Sequence, residues 1–149
     1  MSASHVEALR FRTFAEVETL ALEFECCTLP RAGWTHEAHL TVALWYLARH
    51  PHAEATRLIR EGIKRYNHAC GIVTTPTSGY HETITLFWIR IVSEYLMCVS
   101  NERCSLVHLA NGLLARCDKS LPLKYYSRER LMSAEARARW VEPDLKSLD

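Results

Sequence analysis

From Leu40 to Leu47 the chain reads Leu-Thr-Val-Ala-Leu-Trp-Tyr-Leu, apolar at nearly every position. At helical spacing, Leu40, Ala43, Leu44 and Leu47 make one face, while Val42, Trp45 and Tyr46 make the opposite flank greasy too. A helix apolar on most sides must be covered on most sides. The segment therefore predicts a central helix with others packed around it. Tyr80 to Val99 is a second such stretch, carrying Ile84, Leu86, Phe87, Trp88, Ile89, Ile91, Val92, Tyr95 and Leu96. Five Gly and five Pro in 149 residues leave little material for turns, which suits a few long helices better than a sheet. The expected architecture is all-α: one domain over residues 1–149, an up-down bundle of four to five long helices with a short C-terminal helix and an extended tail.

Local signals set the boundaries. Phe14, Val17, Leu20, Ala21 and Phe24 form one helical stripe, predicting a first helix over Phe11 to Glu25. Pro30 and Gly33 break it. Thr35 is a good N-cap and Trp34 before it can staple onto the first turn, so a second helix runs from His36 to Arg49. Pro51 opens a third, Ala53 to about Ala69, with Gly71 as its stop. Tyr80 to Val99 is the fourth and about Cys104 to Arg116 the fifth. Ser133 to Ala136 has the residues of a helix start, predicting a brief helix to Trp140.

Totals exclude several function classes. A formal net charge of +1 with mixed acids and bases argues against a nucleic-acid surface. No run of about 18 apolar residues exists to span a membrane, and Met1 to Phe14 lacks an apolar core of signal-peptide length. The six cysteines (Cys26, Cys27, Cys70, Cys98, Cys104 and Cys117) form no C-x-x-C pair, so the reading is a cytoplasmic protein with reduced thiols. The adjacent Cys26 and Cys27 are read as packing residues, with reactivity the alternative. H-E-x-x-H, Glu-x-x-His, His-Asp, glycine-rich phosphate loops and G-x-S-x-G are all missing.

What stands out is histidine placement. Trp34-Thr-His-Glu-Ala-His-Leu40 and Gly79-Tyr-His-Glu-Thr83 each put His and Glu where an apolar helix begins. Short connections favour antiparallel neighbours. The end of the first helix, the start of the second, the end of the third and the start of the fourth then share one end of the bundle. Residues three apart on a helix are neighbours, so His36 and His39 are expected to face one point, and His81 to look inward beside them. Helix starts disfavour imidazolium, and neutral imidazole with carboxylate is what a divalent metal binds. His36, His39 and His81 are thus candidate ligands for iron, manganese, zinc or nickel, with Glu25 or Glu82 as fourth ligand or general base. Tyr80 adjoins this site as a candidate substrate contact. The aromatic tail supplies Lys124, Tyr126 and Arg128 as candidates for an anionic substrate, against the plainer reading that Tyr and Trp pin the tail across the bundle. His5, His50, His52, His68 and His108 read as surface or core polar groups.

Phe24-Glu25 with Thr28-Leu-Pro30, the two histidine motifs, Tyr125-Tyr-Ser127 and Trp140-Val-Glu-Pro-Asp-Leu145 together resemble an uncharacterised family of small bacterial α-helical proteins. The resemblance runs from about Phe24 to Leu145 and implies a bacterial, cytosolic, single-domain helical protein. It implies no activity. The chemistry of the residues points to a small metal-dependent enzyme, oxygenase-like or hydrolase-like. The alternative is a metal-free, non-catalytic helical protein that holds a small anion or organic molecule at two helix N-termini; a third reading is a structural partner protein. The partners expected are a small-molecule substrate or ligand and, at most, a second copy of the chain as a homodimer.

Overall fold

A computed structural model describes residues 9–99 and 104–149. The readings of the N-terminal stretch that concern residues 1–8, His5 among them, lie outside the described residues. The described chain is all-helical: α1 (Phe14–Glu25), α2 (His36–Arg49), α3 (His52–Ala69), α4 (Glu82–Val99), α5 (Leu106–Arg116), α6 (Arg128–Leu131) and α7 (Ala134–Ala138), with short 3-10 turns at Arg31–Gly33 and Leu121–Lys124. Among the described residues there is no strand, only an isolated bridge between Thr75 and Ser78.

Helix α2 is the centre, touching α1, α3, α4 and α5. Eight of its residues, from Ala38 to Tyr46, are buried, as its apolar flanks require. Its boundaries are those expected from sequence. Thr35 Oγ1 accepts from the Ala38 N–H at 3.2 Å, and Trp34, one residue earlier, packs on His39 at the fourth helical position, ring centroids 3.7 Å apart. That is the staple expected of Trp34.

The first helix starts later than its apolar spacing suggests. Phe11 is buried but precedes the helix. Its N–H donates to Asn111 Oδ1 (3.0 Å) and its carbonyl accepts from Asn111 Nδ2 (2.9 Å), so this backbone is paired with α5 instead of with itself. Thr13 then caps α1 by accepting from the Glu16 N–H. At the other end Cys27 takes a left-handed conformation (φ 58°), the position that glycine usually fills. The Cys27 N–H reaches the Phe24 carbonyl and the Thr28 N–H reaches that of Glu23. Cys27 therefore closes α1 and packs against the core, while Cys26 is exposed.

Helix α3 ends in the same motif on a true glycine: Gly71 (φ 71°) donates to the His68 carbonyl and Ile72 to that of Asn67. The loop that follows turns back at Gly79, whose φ of 85° and whose approach to Thr74 (a Cβ would lie 2.7 Å from its Cα) admit no side chain. This turn delivers Tyr80 and His81 to the start of α4.

The segment after α5 wraps α4. Tyr126 is fully buried and donates to the Val141 carbonyl at 2.7 Å. Thr83 Oγ1 donates to the Arg139 carbonyl and accepts from the Val141 N–H. The tail is pinned across the bundle by its aromatic residues, the plainer of the two expectations. No helix among the described residues is long and apolar enough to cross a membrane.

Candidate functional site

The antiparallel arrangement does bring the expected helix ends together. Phe24, at the end of α1, stacks on Trp34 (centroids 4.8 Å, planes 17° apart), and Tyr66, near the end of α3, meets both rings. Beside this aromatic group lies a pocket of about 300 Å³. Trp34 and His39 line it from the start of α2, and Ile63 and Asn67 from the end of α3. Ile72 and Gly79 come from the connecting loop, and Tyr80, His81, Ile84 and Thr85 from the start of α4.

The three histidines do not converge as a ligand set, which corrects the expectation from sequence. Among the described residues no group of three or more His, Cys, Asp or Glu could hold a metal ion. His36 looks elsewhere. Its Nε2–H donates to the Cys117 carbonyl at 2.9 Å and its ring tilts against Trp88. It lines a separate concavity of about 860 Å³ with Arg10, Asp118 and Lys119. Three residues along a helix still leave two side chains about 60° apart, and here that angle separates the α5 side from the α3–α4 side.

His81 is inward, as expected, but both of its nitrogens are used. Nε2–H donates to the Leu131 carbonyl at 2.7 Å, and Nδ1 accepts from the Ile84 N–H at 3.1 Å. The Thr85 N–H reaches the His81 carbonyl. His81 is thus the N-cap of α4, doing with an imidazole what Thr35 does with a hydroxyl. Burial, then the Arg137 charge, pulls its pKa below the ordinary histidine value.

His39 is different. Its Nδ1–H donates to the Thr35 carbonyl at 2.7 Å. That bond fixes the tautomer and leaves Nε2 as a bare acceptor with no protein partner among the described residues. Burial lowers its pKa to about 4, so the ring is neutral at physiological pH.

The carboxylates are not in the pocket. Glu82 is buried and turned toward α3, its Oε2 accepting from Arg60 (2.8 Å) and its Oε1 from the Tyr80 hydroxyl (3.0 Å). Burial and this carboxylate push the Tyr80 hydroxyl up to about 12, so it stays a proton donor committed to Glu82. Glu25 is exposed at the end of α1 and has no ion-pair partner among the described residues. Neither carboxylate is placed as a fourth ligand or as a base acting on the pocket. Lys124 and Arg128 are exposed and line none of these cavities, and Tyr126 is spent on the core. Of the substrate-contacting residues expected, Tyr80 alone reaches the pocket.

Asn67 was not singled out from sequence. It is 8% exposed and lines the pocket, and neither end of its carboxamide has a protein partner among the described residues. A signal existed. Asn67 falls on the apolar stripe of α3, eight residues after Ile59 and four after Ile63, where a polar side chain is buried by its position. Comparison with protein-family models, with curated proteins and with solved structures returns no match to this chain.

Proposed function

We propose that this protein is a non-catalytic, metal-free helical module that binds a small molecule in the pocket between the starts of α2 and α4. One observation carries the reading: Asn67, 8% exposed, lines a cavity together with His39, and neither the Asn67 carboxamide nor His39 Nε2 has a protein partner among the described residues. Among the described residues the fully buried side-chain nitrogens and oxygens without a partner are Arg60 Nε and Arg137 Nε, so water reaches the open groups of Asn67 and His39, and a ligand that pairs both displaces that water. Walls of Trp34, Tyr80 and three isoleucines with few, convergent polar groups are the usual make-up of a small-molecule site. The metal-dependent enzyme expected from sequence has less support. Its ligands would be His36, which points to α5, and His81, which must abandon a cap and a buried carbonyl to coordinate. All six cysteines are free thiols, which suits a cytoplasmic setting.

The test is ligand-observed NMR with a mixed fragment set on the wild-type protein and on Thr85→Trp, which fills the pocket. Circular dichroism melting first verifies the fold of the variant, and Ile84→Trp is the substitute if Thr85→Trp melts early. Fragments that contact the wild type and not the filled protein support the reading. A fragment set that shows no difference between the two rejects it.

A further inference from the structure

The inference rests on the pocket being a binding site and concerns what occupies it. We propose that the ligand is an uncharged, planar heterocycle rich in N–H donors, of the lactam or nucleobase class, held edge-on by Asn67 and His39.

Size limits the candidates first. A pocket of about 300 Å³ is at the small end for organic ligands and suits one or two fused rings without a sugar phosphate attached. Charge limits them next. No Lys, Arg, Asp or Glu lines this pocket. Of the charged groups around it, Glu82 is committed to Arg60 and Tyr80 and Arg137 to the Gly79 carbonyl at 2.9 Å, while the Lys64 ammonium lies over the Tyr80 ring at 4.8 Å. A charged ligand would give up hydration there without a counter-ion among the lining side chains.

The hydrogen-bond inventory then sets polarity. His39 Nε2 can only accept, because Nδ1 carries the proton that goes to Thr35. Thr85 donates its hydroxyl proton to the His81 carbonyl at 2.7 Å, which leaves its oxygen as an acceptor. The Tyr80 hydroxyl is spent on Glu82 and both nitrogens of His81 are spent on backbone. Asn67 offers a donor alongside its own acceptor, and the Trp34 indole N–H is a second donor on the lining; a carboxamide pairs bidentately with an N–H/acceptor edge. The side chains therefore present three acceptors and two donating groups. The matching ligand brings two or more N–H groups and one or two carbonyl or ring-nitrogen acceptors.

The experiment uses the wild-type protein with uracil and hypoxanthine as probes, against 1,3-dimethyluracil, benzoate and indole, by saturation-transfer NMR and calorimetric titration. Uracil or hypoxanthine is expected to bind, with at least tenfold weaker binding of 1,3-dimethyluracil, which keeps the ring and carbonyls and loses both N–H groups. Asn67→Leu and His39→Phe are expected to weaken the bound probe at least tenfold. Equal binding of the methylated ring, or a preference for benzoate or indole, overturns the proposal. So does failure of the heterocycles to bind when other fragments do occupy the pocket, and that outcome leaves the binding-site reading standing. Absence of every fragment removes both. The methylation contrast needs no variant and decides the matter even if Asn67→Leu fails to fold.

Discussion

The two helix starts carry the same dipeptide, His-Glu, and use it in opposite ways. At α2 a threonine precedes it, so Thr35 is the cap and His36 and Glu37 are the first two helical residues. At α4 the histidine is itself the cap and Glu82 is the first helical residue. A shift of one position turns a side chain by about 100°. Glu37 accordingly lies outside, paired with Arg10 at 3.2 Å with both side chains about half exposed, whereas Glu82 is turned in onto Arg60 and Tyr80. His36 keeps a free nitrogen beside α5; His81 keeps none. Residue type at a helix start does not determine role until the cap is known.

The contrast is open to attack at each position. The largest effect is expected at His81. His81→Ala removes a cap, about 1 kcal/mol, and leaves the Leu131 carbonyl without its donor, about 1–3 kcal/mol. Urea unfolding should show a loss of about 3 kcal/mol, against about 1 kcal/mol for His36→Ala. Equal losses would erase the asymmetry. Glu82→Ala strands Arg60 and the Tyr80 hydroxyl and is expected to cost about 2 kcal/mol, discounted because Arg60 is partly exposed.

Acid should reveal the histidines next. Burial holds His39 at about 4, against 6.5 for an ordinary histidine. Between those values the unfolded chain takes up a proton that the folded protein refuses. The contribution is whole above pH 6.5, shrinks as pH falls toward 4 and is gone below it; it is on the order of 2 kcal/mol after allowance for the partial solvent access of the ring. His81 acts with the same sign. Thermal melting across this range should be less pH-dependent in His39→Phe than in the wild type, and an unchanged slope would contradict the burial of His39.

Smaller effects finish the comparison. Thr35→Ala should cost about 1 kcal/mol in the same unfolding assay. Glu37→Ala should stay within about 0.5 kcal/mol, and a loss as large as that of Glu82→Ala would make the two glutamates equivalent after all.

Helix α2 was legible in full, because Thr35, the Trp34 staple and the all-round apolar run are local signals that agree. The meeting of helix ends was legible too, since short connections dictate it. Phe11 misled because its spacing fits a helix, while Asn111, a hundred residues away, holds its backbone open. The metal site misled for a related reason. The partners of His36 and His81 are backbone carbonyls of Cys117 and Leu131, and no periodicity says where an irregular carbonyl will lie. Asn67 was readable as a polar residue on a greasy stripe, but its lack of a partner is a tertiary fact.

The start of α4 is tied to residues far downstream: His81 to Leu131, and Thr83 to Arg139 and Val141, across 50 to 58 positions. Closing loops of that length is slow and entropically costly. During synthesis, α1, α2 and α3 can consolidate among themselves while this end of α4 waits for chain not yet made. The cavity between the starts of α2 and α4 then takes shape last, and a nascent protein halted near residue 130 would be helical yet lack that finished wall.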